Sequence, residues 1–197
     1  MKRVFMSAAL LVTTIFAATA QKNTLLVGGN IALTTEKVPT SPDATKTTTF
    51  EFNPTVGYQF NDNWTAGVVA GIGSSKMTEG SFESKRTNFN VGPFIRYSQN
   101  LSNLFAVYGQ LESKFGGRKL TQTVGSTTTV SKGATAEINL FPALFVNFKN
   151  SFGLNFNIGG ITYNSDKPKG GSATQSFNFN FGKTVSIGVS KNFGFKK

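Results

Sequence analysis

Residues 177–195 read FNFNFGKTVSIGVSKNFGF. Phe177, Phe179, Phe181, Val185, Ile187, Val189, Phe193 and Phe195 share one parity, and Asn178, Asn180, Gly182, Thr184, Ser186, Gly188 and Ser190 share the other. Successive side chains of a strand point to opposite faces, so this run presents one apolar face and one face of small uncharged groups. The same period of two recurs toward the N-terminus. Leu25, Val27, Ile31 and Leu33 oppose Gly28, Asn30, Ala32 and Thr34; Phe50, Phe52, Val56, Tyr58 and Phe60 oppose Glu51, Asn53, Thr55, Gly57 and Gln59. Trp64–Ile72, Phe89–Tyr97, Phe105–Phe115, Ile138–Phe148 and Phe152–Ile158 alternate likewise, although Phe141 and Phe145 share the polar side of their strand. Eight strands account for the chain beyond its first twenty residues.

The polar face separates two architectures. A soluble eight-stranded barrel of the lipocalin type also alternates, but its water-facing side would be dominated by Lys and Glu. Here that side is Asn, Gly, Thr and Ser, which suits the narrow interior of eight strands, so the apolar face is outside. Aromatics bracket it: Tyr58, Phe60, Trp64, Tyr97, Phe105, Phe148 and Phe152 at one end, Phe50, Phe89, Phe115 and Phe177 at the other. Two aromatic girdles flanking an apolar band predict an all-β, eight-stranded, antiparallel up-and-down transmembrane barrel. Connector composition predicts tight turns at Asn61–Asn63, Ser98–Asn103 and Lys149–Ser151. It predicts longer loops, rich in Thr, Ser, Gly and Lys, at Glu36–Thr45, Met77–Ser84, Gly117–Lys132 and Ser165–Ala173.

Composition agrees. Among 197 residues only 15% are charged, while Phe contributes 20 and Gly 21; the net charge of +11 reflects scarce acids. Met1-Lys2-Arg3, the apolar stretch Val4–Ala18 and Ala18-Thr19-Ala20 have the form of a secretory signal peptide over residues 1–20, which leaves residues 21–197 for the barrel. About fifteen apolar residues are too few for a membrane-spanning helix. An exported chain has no nucleic acid to meet, so its basicity points to the phosphates of outer-membrane lipids, lipopolysaccharide included.

Phe52-x-Pro54-x-Val56-x-Tyr58, Val91-x-Pro93-x-Ile95-x-Tyr97 and Leu140-x-Pro142-x-Leu144, with the signal peptide and the eight alternating strands, resemble the porin-family outer-membrane barrels of Gram-negative bacteria. The likeness is to the small OmpA and OmpX barrels and covers about the whole mature chain. It specifies architecture and names no ligand, while short turns at one end and long loops at the other put both termini in the periplasm. It also implies recognition by the outer-membrane insertion machinery, for which Phe193-x-Phe195 matches the terminal aromatic signal although Lys196-Lys197 follow. Barrel enzymes of this class use His with Ser or Asp. With no His and no Cys, and with Asp43, Asp62 and Asp166 all in connectors, an enzyme is not expected, nor is a cofactor or a metal.

Two charge groups stand out. Glu51, Arg86, Glu112, Lys114 and Glu137 share lumen parity and are expected to form one ion-paired belt, because buried charges must pair. Arg96 lies lower, toward the periplasmic mouth. Lys37, Lys46, Arg118, Lys119, Lys132, Lys167 and Lys169 are expected to make a basic loop rim. Pro54, Pro93 and Pro142 sit on descending strands of a ring with no edge, which calls for a shared layer of bulges. Lys183 and Lys191 fall on the lipid-facing parity and require snorkelling or a bulge. The role expected is structural or at the cell surface, with a narrow channel for ions or small solutes as the alternative. The mature protein should begin at Gln21, fractionate with outer membranes, and migrate differently on gels with and without boiling. Recovery as a soluble monomer would overturn the membrane assignment.

Overall fold

A computed structural model of the protein describes residues 24–39, 43–149 and 152–194. The expected signal peptide over residues 1–20, the expected mature start at Gln21, and Phe195 lie outside these. The described chain forms β1 (Thr24–Val38), β2 (Thr45–Gln59), β3 (Trp64–Glu79), β4 (Phe82–Asn100), β5 (Phe105–Val124), β6 (Thr127–Lys149), β7 (Phe152–Pro168) and β8 (Thr174–Gly194). Each strand pairs antiparallel with its sequence neighbours, and β8 closes on β1. This is the eight-stranded up-and-down barrel that the alternation predicts.

The faces fall as their parity requires. Outward Ile31 and Phe177 are 68% and 70% exposed, whereas inward Phe94 and Gln110 are 4% and 3% exposed. The apolar side chains form the outer wall, and the buried hydrophobic cluster is confined to Leu26, Val69 and Phe94. A water-soluble barrel of this size would have the reverse arrangement.

The long connectors are corrected. Met77–Ser84 and Gly117–Lys132 are mostly strand: β3 turns into β4 at Gly80-Ser81, and β5 into β6 at Gly125-Ser126. Gly80 (φ +54°) and Gly125 (φ +57°) supply the left-handed backbone that such tight hairpins need. Thr and Ser read as loop formers, yet Thr is β-branched and pairs well across strands. Thr123 and Thr128 are register partners with hydroxyls 3.1 Å apart. The strands therefore continue past the apolar band as a polar sheet, with β6 reaching 23 residues. At the opposite end Asn61–Asn63 form a tight turn as expected, the Ser98–Asn103 turn is shortened because Ser98–Asn100 belong to β4, and residues 150 and 151 of the third lie outside the described residues. Asn61 Oδ1 accepts from the amides of Asn63 and Trp64, and Ser102 Oγ accepts from those of Leu104 and Phe105.

The prolines share a pattern, though not a layer of bulges. Pro54, Pro93 and Pro142 each pair on one side, with Gly29, Val68 and Gly109. On the other side the ladder lapses beside each one. Only at Pro142 does the register shift. A missing N–H removes one rung without requiring an extra residue, so the wall tolerates Pro54 and Pro93 in register. Lys191 lies level with Phe152 beside the short β6–β7 connection, and its Nζ sits 5.0 Å from the Phe193 ring centroid, which is snorkelling to the interface. Lys183 falls where β8 slips out of register with β7.

Val68→Arg, outward and level with Pro93, should destabilise the barrel in lipid by about 2 to 4 kcal/mol, whereas Thr55→Ser on the lumen side should stay within about 0.5 kcal/mol. Urea unfolding from vesicles measures both, and equal costs would refute the assignment of faces.

Candidate functional site: the lumen

The β5 residues Gln110, Glu112 and Lys114 alternate along one strand and so point inward together. All three are buried. Register supplies their partners. Arg96, opposite Gln110, donates its Nε to Gln110 Oε1 at 2.8 Å, and Gln110 Nε2 donates to Glu112 Oε2 at 3.0 Å. Lys114 Nζ reaches Glu112 Oε1 at 3.2 Å and Glu137 Oε1, its cross-strand partner, at 2.8 Å. Asn139, opposite Glu112, donates to it at 3.5 Å and accepts from Thr162 at 3.0 Å. A continuous polar chain thus runs across β4, β5, β6 and β7.

Of the five belt residues, Glu112, Lys114 and Glu137 come together as expected. Arg86 does not join them. It lies level with Leu120, far up β4 from Phe94, the register partner of Glu112. Its Nη2 binds Asp166 Oδ2 at 2.9 Å, and Arg118 Nε donates to both Asp166 oxygens at 2.6 Å. Asp166 belongs to β7, not to a connector. Arg118 is likewise not a loop-rim residue: it points inward, and its side chain is 10% exposed. Glu51 lines the same cavity as the Lys114 cluster but has no ion pair among the described residues. Counting residues from turns misjudged these heights because pairing runs perpendicular to tilted strands, so opposed residues climb along the barrel axis.

Arg96 is also placed differently from expectation. Its guanidinium carbon stacks 4.0 Å from the Tyr108 ring centroid and 5.8 Å from that of Phe94. Tyr108 packs edge-on against Phe141 at 6.5 Å. Two cavities of about 630 Å³ each lie on either side, and Leu26, Arg96, Tyr108 and Ser190 line both. Arg96 therefore belongs to a septum of side chains between the two cavities, the lower of which lies at the short-turn end.

The exposed basic residues form a pattern that composition did not reveal. Lys37 opposes Lys46, Lys76 opposes Lys85, and Lys119 opposes Lys132. All six face outward and are exposed. Lys46, Lys85 and Lys119 each stand four residues beyond a girdle phenylalanine, Phe50, Phe89 or Phe115, and Lys167 stands four beyond Tyr163. Four strand residues at the usual tilt rise about 10 Å, the depth of lipid head groups. Apart from Lys169, the rim residues lie on strands, not in loops.

These features, a closed ring with an apolar exterior and a polar lumen, define a transmembrane barrel. Residues 7–193 match the model of the outer membrane protein beta-barrel domain family, and the chain belongs to that family. Among solved structures, the translocator domain of the autotransporter NalP from Neisseria meningitidis is similar at 14% identity and a TM-score of 0.47, covering 98% of this chain and 77% of that one. No curated protein matches the chain.

Lys114→Met would leave two carboxylates facing each other in the lumen and should cost about 3 to 5 kcal/mol. Glu112→Gln should cost about 1.5 to 3 kcal/mol. Because both residues belong to one cluster, the double variant should lose less than the sum of the two, as measured by unfolding in detergent.

Proposed function

We propose that this protein is a shut outer-membrane barrel with a structural and surface role, anchored to the phosphates of lipopolysaccharide. The observation that carries the reading is the ring of outward lysines at one height, three pairs of which oppose each other directly. Like charges opposed across a ladder destabilise it. Glu83 answers Lys76 at 2.8 Å, and the excess of positive charge over the three pairs calls for further anions from outside. Head-group phosphates are the anions available at that depth. The septum of Arg96, Tyr108, Phe94 and Leu26 supports a lumen that does not conduct, and an enzymatic role has no imidazole or thiol to draw on.

Replacing the six paired lysines with Gln should slightly raise stability in neutral detergent, by removing repulsion. It should abolish the stabilisation that added lipopolysaccharide confers on the wild type. Dephosphorylated lipopolysaccharide should stabilise neither form, and equal stabilisation of both forms by intact lipopolysaccharide would refute the anchoring role. Planar-bilayer recording should show almost no conductance in the wild type and measurable steps in Arg96→Ala/Tyr108→Ala. A steady wild-type pore whose selectivity changes in Glu112→Gln would make the protein a narrow channel instead.

A further inference from the structure

The ring is not sealed along its whole height. β1 pairs with β2 over all of Thr24–Val38 but with β8 only from Thr24–Gly194 to Gly29–Val189. Among the described residues, Asn30–Val38 of β1 pair with β2 alone, and Thr174–Gly188 of β8 pair with β7 alone except at 182–185, which pair with neither neighbour. The cause lies in β8. Asn157 faces Ser186 but Gly159 faces Phe181, and the slack is taken up around Gly182 (φ +74°) and Gly159 (φ +103°). Gly159 N donates to Asn157 Oδ1 at 2.9 Å, which holds the irregularity in place. A bulge of this kind bends its strand, and pairing with β1 ends on the same strand at Val189.

This gap lies at membrane depth. Leu33 is level with the girdle residue Phe50, so Asn30–Leu33 lie within the apolar band. Hydrocarbon cannot satisfy backbone N–H and C=O groups, so such edges need a hydrogen-bonding occupant. The upper cavity opens onto them. Its wall includes Ile31 on one lip and Val185 and Ile187 on the other, outward residues that are 68%, 60% and 56% exposed. Below, the septum separates it from the periplasmic side. Inside, it presents acceptors: the Glu51 carboxylate, which has no ion pair among the described residues, and Asn155 Oδ1, buried with no hydrogen-bond donor among them.

We propose that the upper lumen binds a single-chain amphiphile that enters sideways from the outer leaflet through the β1–β8 gap. Its polyhydroxyl head, rich in donors, lies against Glu51 and Asn155 and reaches the free strand edges. Its hydrocarbon tail leaves between Ile31 and Ile187 into the bilayer. A plain alkyl chain would leave both the edges and the cavity acceptors unsatisfied. This goes beyond the anchoring role and does not depend on the lysine ring.

The test uses liposome-reconstituted protein and an alkyl maltoside carrying a diazirine on its tail, with adducts mapped by mass spectrometry. Adducts should concentrate at Ile31, Val185 and Ile187, and dodecyl maltoside but not maltose should compete. Because the chain has no Cys, a disulfide in Ala32→Cys/Ser186→Cys can staple the gap. Labelling should fall at least tenfold on oxidation and return on reduction. Ser186→Trp, which blocks the gap without redox chemistry, should produce the same loss. Adducts spread evenly to Val68 and Leu111, or labelling that survives the Trp block or a completed staple, would overturn the proposal. So would an intermolecular disulfide between Ile31→Cys and Ile187→Cys copies, which would place a second molecule on the edges.

Discussion

Every backbone N–H and C=O in hydrocarbon must find its partner within the protein, because lipid offers none. The rest of this structure follows from that demand. Eight strands that would be unstable as an open sheet become a ring, each strand paired on both sides over at least part of its length. The three prolines show the tolerance of such a ring, since each interrupts the ladder on one side only and leaves the neighbouring register standing or shifted by a bulge. The gap above Gly29–Val189 shows where the demand is left open by the wall itself, and it coincides with a cavity lined by polar groups.

Closure turns the usual distribution of residues inside out. With Phe, Val, Ile and Leu given to lipid, the interior must be built from side chains that hydrogen-bond one another. In a narrow lumen a lone charge is costly, so apart from Glu51 the lumen charges occur in connected sets. Arg96, Gln110, Glu112, Lys114 and Glu137 form one; Arg86, Asp166 and Arg118 form another, bridging strands nearer the outer end. Nearly every bond in the first set joins register partners or residues two apart on one strand. The hydrogen-bonded ladder that seals the wall is therefore also what aligns the lumen network.

Beyond the apolar band the same ladder continues into water as a Thr-rich sheet. Its outward lysines stand opposite one another in the register that the lower strands impose, beyond the girdle phenylalanines. Repulsion between them is tolerable where a counter-anion is supplied, and the proposed anchoring to lipopolysaccharide makes the lipid that counter-anion. The two proposed lipid contacts use different chemistry: phosphate on the outer face, and a hydroxylated head group in the lumen.

Period-two alternation was enough to determine the eight strands and their inward and outward faces, because parity is a local property of extended chain. The tight turn at Asn61–Asn63 was legible as well, whereas the one expected at Ser98–Asn103 is confined to Leu101–Leu104 because Ser98–Asn100 pair as part of β4. Missing His and Cys excluded whole classes of chemistry on the same local terms. The membership of Glu112, Lys114 and Glu137 in one cluster was legible too, from shared parity at similar distances from the turns. Height was not. Strand tilt and shear displace opposed residues along the axis, and this moved Arg86 up to Asp166, brought Arg118 inward from the supposed rim, and set Arg96 into a septum above a second cavity. The Thr-rich stretches read as loops because polarity alone does not distinguish a solvated strand from a coil; only pairing with a neighbour does. Lys–Lys opposition and the incomplete β1–β8 closure likewise depend on register between strands, some of them distant in sequence, which tertiary pairing alone decides.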